Sequence, residues 1–99
     1  MFIRSTQYEV KPGRFDEAVE VFRSQVFPQL EREPGFMRVL VTGDAATGKG
    51  VVYTMWQKEE HAHRYELSGE ATRLLGPFAD LFVDAPKVLG YPVIFDREF

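Results

Sequence analysis

The sequence predicts an α+β domain with the order strand, helix, strand, strand, helix, strand. Three observations carry this expectation. The apolar pattern switches repeatedly between a strand-like period of two and a helix-like period near 3.6. Proline and glycine fall at the switches. The 99 residues, 44% of them apolar, suffice for one modest core but not two, so a single domain over residues 1–99 is expected.

Met1 to Val10 reads as the first strand. Phe2, Ile3, Tyr8 and Val10 spread apolar character over both faces, as in a strand covered on both sides, and Lys11-Pro12-Gly13 ends it. From Arg14 to Glu33, the residues Phe15, Ala18, Val19, Phe22, Val26 and Leu30 fall on one helical stripe with charges opposite. Pro28 removes a backbone donor inside that stripe, so a kink or a short second segment is expected there. Pro34-Gly35 stops the helix. Phe36 to Thr42 and Val51 to Gln57 are β-rich runs joined by the turn-rich stretch Gly43 to Gly50, and they should pair antiparallel.

Glu59 to Leu67 is helical, with acidic residues in the first turn where the helix dipole favours them. Ser68 is placed to cap a second segment through Ala71, Leu74, Leu75, Phe78, Ala79 and Phe82, broken at Gly76-Pro77. Val88 to Phe95 is the last strand, and Pro92 restricts that position to a sheet edge or a bulge. With right-handed crossovers this order gives the ferredoxin-like arrangement: a four-stranded antiparallel sheet with both helices on one face. The other face needs a cover. Aromatic content of 14%, including nine Phe, exceeds what one small core requires, and Phe2, Met37, Tyr53, Tyr91 and Phe95 point to a second copy packed sheet against sheet.

Composition removes several classes of function. Fifteen acidic residues against twelve basic give a net charge of −3, and no basic stripe suited to a nucleic acid or a membrane surface is present. The opening MFIRSTQYEV shows neither an apolar h-region nor a small-residue cleavage pattern, and no run approaches the roughly 18 apolar residues of a membrane span. A cytoplasmic protein is expected. The absence of cysteine excludes disulfides, thiolate zinc sites, cysteine nucleophiles and iron–sulfur ligation.

Three local patterns suggest chemistry. Gly43 to Lys49 approximates a phosphate-binding loop, but Gly50 stands where the magnesium-binding hydroxyl belongs and the loop feeds a strand, so a hairpin connection is expected. Lys49-Gly50-Val51-Val52-Tyr53-Thr54-Met55-Trp56 partly resembles the third-strand signature of the RNA-recognition domain, with Phe2-Ile3 as the companion motif. Such a platform would need Phe2 and Tyr53 exposed on an uncovered sheet, Val51 replaces its second stacking aromatic, and the acidic charge leaves phosphates unmatched. His61 and His63, beside Glu59 and Glu60, would be a metal cluster only if both imidazoles faced one ion. Residues two apart on a helix point about 200° apart, so no metal site is expected.

Taken together, Val10 to Glu17 opening the first helix, Gln29 to Phe36 closing it, and Val52-Tyr53-Thr54-Met55-Trp56-Gln57 leading into the second resemble the antibiotic biosynthesis monooxygenase (ABM) domain over nearly the whole chain. The resemblance implies a dimeric α+β barrel, a homodimer whose two sheets close on each other, with a small-molecule cavity between sheet and helices in each subunit. It implies oxygenation of aromatic polyketides or quinols without a cofactor. In one branch it implies haem breakdown, but the positions that there carry Asn, Trp and an iron-ligating His correspond here to Thr6, Tyr65 and Leu75, which supply no axial ligand. Tyr65 also replaces the His frequent in the family on the second helix.

The remaining chemistry is oxidation of a substrate that supplies its own electrons to dioxygen, with the protein binding an aromatic ring, assisting proton removal and excluding water. The expected residues are Trp56 and Phe78 as apolar walls, Tyr65 as a hydrogen-bonding group, His61 or His63 as a base, and Arg4 or Tyr8 orienting a substrate oxygen. A non-catalytic ligand-binding or accessory dimer of the same fold is the alternative, and RNA binding stands third.

Overall fold

The computed structural model describes residues 1–99. The chain runs through β1 (Phe2–Glu9), α1 (Phe15–Val21), a π-helical turn (Phe22–Val26), α2 (Phe27–Leu30), β2 (Phe36–Gly43) and β3 (Lys49–Trp56). It continues through α3 (Glu59–Leu67), α4 (Glu70–Leu75), a 3₁₀ turn (Gly76–Phe78) and β4 (Lys87–Pro92). The strands form one antiparallel sheet in the order β2-β3-β1-β4. This is the ferredoxin-like βαββαβ topology expected from the periodicity, and none of its helices is long and apolar enough to cross a membrane.

The first helical stretch buries Ala18, Phe22, Val26 and Leu30, while Val19 falls off that stripe and is largely exposed. The distortion expected at Pro28 takes the form of a π turn just before it, with Pro28 in the first turn of α2. Pro28 has no N–H to give the Ser24 carbonyl, and the wider turn accommodates its ring. Further on, the Ser68 hydroxyl accepts from the Glu70 N–H at 3.3 Å, with Gly69 in a left-handed conformation as the residue flanking α4.

Register decides which side chains meet the helices. Phe2 pairs with Trp56, Arg4 with Thr54, Thr6 with Val52 and Tyr8 with Gly50, and the four β1 residues of this row are all buried. Alternation then puts Ile3, Ser5, Gln7 and Glu9 on the outer face. There Leu40, Tyr53 and Met55 from β2 and β3, with Leu89 and Tyr91 from β4, complete an apolar surface that no other element of the chain covers. Two expectations change. The inner row of β1 is polar at its centre, and Phe2 is buried under the helices while Tyr53, paired with Ser5, lies on the opposite face. Phe2 and Tyr53 therefore do not form one stacking platform, which overturns the RNA-recognition reading.

The Gly43–Gly50 connection is a tight hairpin: Gly48 donates its N–H to the Asp44 carbonyl at 2.7 Å, and the Ala46 N–H is taken by the Asp44 carboxylate at 2.9 Å. The last strand ends earlier than expected, at Pro92 on the edge strand β4, where its missing donor faces no neighbour. Beyond it, Ile94, Phe95 and Phe99 are exposed.

Tyr8 shows how closely the sheet is fitted to its inner row. Its hydroxyl donates to the Thr42 carbonyl at 2.7 Å. It lies across the Gly43–Gly50 pair, where a Cβ on either glycine would approach that hydroxyl to 2.5 Å, and a Cβ on Gly50 would also run into the Thr42 carbonyl, which lies closer still. Gly50→Ala is expected to destabilise the fold by about 2 kcal/mol, more than the roughly 1 kcal/mol lost in Tyr8→Phe, which removes only the hydrogen bond. Urea unfolding of the two variants checks this; a neutral Gly50→Ala would show that neither the Thr42 carbonyl nor the Tyr8 hydroxyl closes the space over Gly50.

Candidate functional site

Aromatic side chains fill both ends of the space between sheet and helices. At one end Phe22 and Phe78 meet at 4.6 Å between ring centroids, Phe78 and Phe82 at 4.9 Å, and Phe82 and Tyr8 at 5.5 Å. At the other end Trp56 packs against Tyr65 at 5.0 Å and Phe36 at 5.5 Å. Between them the sheet offers Arg4, Thr6 and Thr54 and α4 offers Ala71, too little bulk to close the gap. A cavity of about 50 Å³ remains, also lined by Tyr8, Tyr65 and Phe78.

Arg4 is the charged group of this cavity. Its Nε donates to the Glu66 carboxylate at 2.9 Å and its Nη1 to Thr6 Oγ1 at 3.3 Å, and the guanidinium lies 5.5 Å from the centre of the Tyr65 ring. Trp56 donates its indole N–H to Thr54 Oγ1 at 3.0 Å. The Thr6 and Thr54 oxygens thus accept from protein donors, and each keeps its own O–H to give to a ligand. The Tyr65 hydroxyl engages no protein partner. Burial pushes its pKa up to about 12 against the opposing pull of Arg4, so near neutral pH it is a hydrogen-bond donor and not a base.

A groove of about 430 Å³ adjoins the cavity on its α3–β4 side. It shares Arg4, Ala71 and Leu75 with the cavity and adds His63, Glu66 and Thr72. A larger, shallow depression of about 570 Å³ beside Lys49, Asp84 and Lys87 is open and has few apolar side chains among its lining residues, so it lacks the walls that hold an aromatic ligand.

Of the residues expected from sequence, Arg4, Tyr8, Tyr65 and Phe78 meet in the cavity. Trp56, expected as a wall, is fully buried behind it, supporting Tyr65 and Thr54. The imidazoles diverge, as their spacing requires. His61 packs against Gly35, away from the cavity, its buried Nδ1 without a partner. His63 sits in the outer groove, 3.9 Å from Glu59 and edge-on to Phe2. Sequence reasoning missed Thr54 and Glu66. Alternation from Trp56 would have placed Thr54 on the inner face; nothing in the sequence pairs Glu66 with Arg4.

An antiparallel sheet backed by helices on one face, with a small cavity holding a buried cation and a free phenol beside an outer groove, defines a ferredoxin-like α+β domain. The chain belongs to the antibiotic biosynthesis monooxygenase (ABM) family, whose model matches residues 1–74; Phe78 and β4 lie beyond the matched region. The fold is similar to that of a monooxygenase from the gene ActVA-Orf6 of Streptomyces coelicolor, solved in complex with the ligand Nanaomycin D. That likeness has a TM-score of 0.80 and 18% identity, over 98% of this chain and 90% of that one. A Nitrosomonas europaea protein provisionally assigned to the same class is similar with a TM-score of 0.78 and 21% identity, over 96% of this chain and 100% of the other. No curated protein matches the sequence significantly.

The raised Tyr65 pKa has a consequence for stability. An unfolded tyrosine ionises near 10.0, the buried one near 12, so the stabilisation from keeping this phenol neutral is complete below pH ~10 and is lost as pH rises towards 12. Two pKa units correspond to about 2–3 kcal/mol. Wild type should lose that much more stability than Tyr65→Phe between pH ~10 and ~12 in denaturant titrations; parallel curves would contradict the burial of the phenol.

Proposed function

We propose that the protein is a homodimer that binds an aromatic or quinone-like small molecule between sheet and helices and oxygenates it with dioxygen, without a cofactor. The observation that carries this reading is the free phenol of Tyr65 beside the buried guanidinium of Arg4, with the Thr6 and Thr54 hydroxyls, in a cavity whose other walls are apolar or aromatic. Such a site binds a flat ring and addresses its oxygen atoms. The complex of the ActVA-Orf6 monooxygenase with Nanaomycin D supports the same ligand class.

The chemistry balances without added electrons. A quinol and dioxygen contain the atoms of a hydroxyquinone and water: one oxygen atom forms the new C–O bond, and the other leaves as water with two hydrogens from the substrate. Arg4 stabilises the phenolate that must form before electrons pass to oxygen, lowering the cost of losing its proton. Tyr65 and the Thr6 and Thr54 hydroxyls donate to developing oxygen charge. His63, at the groove, is the candidate acceptor for the proton. Family membership and the uncovered apolar outer face, with Leu40, Tyr53 and Met55 at its centre, support the dimer.

A second reading rests on cavity size. At about 50 Å³ the cavity is well below the roughly 300 Å³ of an ordinary ligand pocket, which suits an accessory dimer whose interior is side-chain filled. Oxygen uptake with a panel of quinols separates the two. Turnover is expected at one dioxygen per quinol, with Tyr65→Phe lowering kcat about a hundredfold. Binding without uptake supports a non-catalytic ligand-binding dimer, and a panel that neither binds nor reacts removes the oxygenase reading and supports the side-chain-filled accessory dimer. Sedimentation should give twice the 11.4 kDa chain mass, with Leu40→Glu shifting it to the monomer; a monomeric wild type at micromolar concentration would exclude the barrel.

A further inference from the structure

The inner cavity is too small for a ring system and the adjoining groove is large enough, and Arg4 is part of the wall between them. The two partners of the ion pair across that wall are unequal. The Arg4 side chain, on the central strand, is 11% exposed, whereas the Glu66 carboxylate on the surface of α3 is 44% exposed. A buried guanidinium needs an anion, because leaving it unpaired is costly. A half-exposed carboxylate loses little by turning back to water. Arg4 is therefore held to its place while Glu66 is replaceable.

We infer that the Arg4–Glu66 pair is a displaceable latch: an ionised oxygen on the ligand takes the place of Glu66 on Arg4, opening the cavity to the groove. This makes the site selective for anionic aromatics, such as ionised hydroxyquinones and aromatic carboxylates, over neutral ones. The inference deepens the aromatic-binding reading above and rests on it for the ring, though not for the charge.

Three features fit this role. Arg4 gives only its Nε to Glu66 and one Nη1 donor to Thr6, so the fork retains N–H groups for a second oxygen. The rest of the shared wall is Ala71 and Leu75, short or flexible apolar side chains that offer a ring no polar barrier. With the latch open, cavity and groove join into a space within the range that accommodates a small-molecule ligand. Glu66 in the closed state then acts as the specificity element, since a neutral ring offers Arg4 nothing in exchange for the carboxylate.

The test titrates wild type, Glu66→Gln and Arg4→Gln with three probes: a hydroxynaphthoquinone, which is a vinylogous acid ionised at neutral pH, its neutral methyl ether, and octanoate. The single Trp56 behind Tyr65 reports binding of the quinones by quenching, and calorimetry reports all three. Wild type is expected to bind the ionised quinone about tenfold more tightly than the ether. Glu66→Gln, which removes the competing anion, should tighten the ionised quinone about fivefold and let the ether gain as well, since neither ligand then has an ion pair to break. Arg4→Gln should abolish the preference, and Arg4→Lys, which keeps the charge without the fork, serves if Arg4→Gln does not fold. Both quinones binding with no response to Glu66→Gln would overturn the latch and leave the aromatic reading intact. Octanoate gaining from Glu66→Gln while neither quinone binds would uphold the latch and overturn the aromatic reading. No binding by any probe to any variant would overturn both.

Discussion

The rest of the molecule accommodates the inner row of β1. Strand geometry turns alternate side chains to one face, so Phe2, Arg4, Thr6 and Tyr8 must all lie under the helices, and two of these are polar and one charged. Each has its own accommodation. Phe2 lies over Gly90 of the neighbouring strand, where a Cβ would meet its ring at 2.7 Å. Tyr8 occupies the slot left by Gly43 and Gly50. Arg4 draws on Thr6 in its own strand and on Glu66 in α3, satisfying a cation that a purely apolar core would exclude.

From that row follows the existence of a cavity. Packing at the ends of the layer is done by large rings, Tyr8, Phe22, Phe78 and Phe82 at one and Phe36, Trp56 and Tyr65 at the other. At the centre the sheet presents two threonines and an arginine whose polar atoms need partners, and the facing helix presents Ala71. Filling this gap with a larger apolar side chain would bury the threonine hydroxyls against carbon and strip Arg4 of its neighbours. The polar centre and the void are thus one feature, and it lies where a ligand can supply the missing hydrogen-bond partners.

Much of this architecture was legible before the structure. The helical stripe through Phe15 to Leu30, the stops at Pro12-Gly13 and Pro34-Gly35, and the position of Pro92 each express a local rule: a helical period, a missing donor, a positive φ. Arg4, Tyr8, Tyr65 and Phe78 were likewise visible as site candidates. What was hidden depends on register and long-range pairing. The parity that separates Phe2 from Tyr53 becomes visible only once Ser5 is set opposite Tyr53. Tyr65 and Leu67 differ by two positions on one helix, and only packing decides that Tyr65 turns inward. The partner of Arg4 lies 62 residues away on a helix surface rich in other charges, and no spacing rule selects Glu66 among them.

The central claim is that the polar centre of the sheet, and not the outer face or the lysine-bordered depression, is where an aromatic ligand binds. A crystal structure of the protein with a bound hydroxynaphthoquinone tests it most directly. The account predicts the ring between β1 and α4, one oxygen within hydrogen-bonding distance of Arg4 and another facing the Tyr65 hydroxyl, with the Glu66 carboxylate turned to solvent. A ligand seated against Lys49 and Lys87, or on the face carrying Leu40 and Tyr53, with the Arg4–Glu66 pair intact, would contradict it.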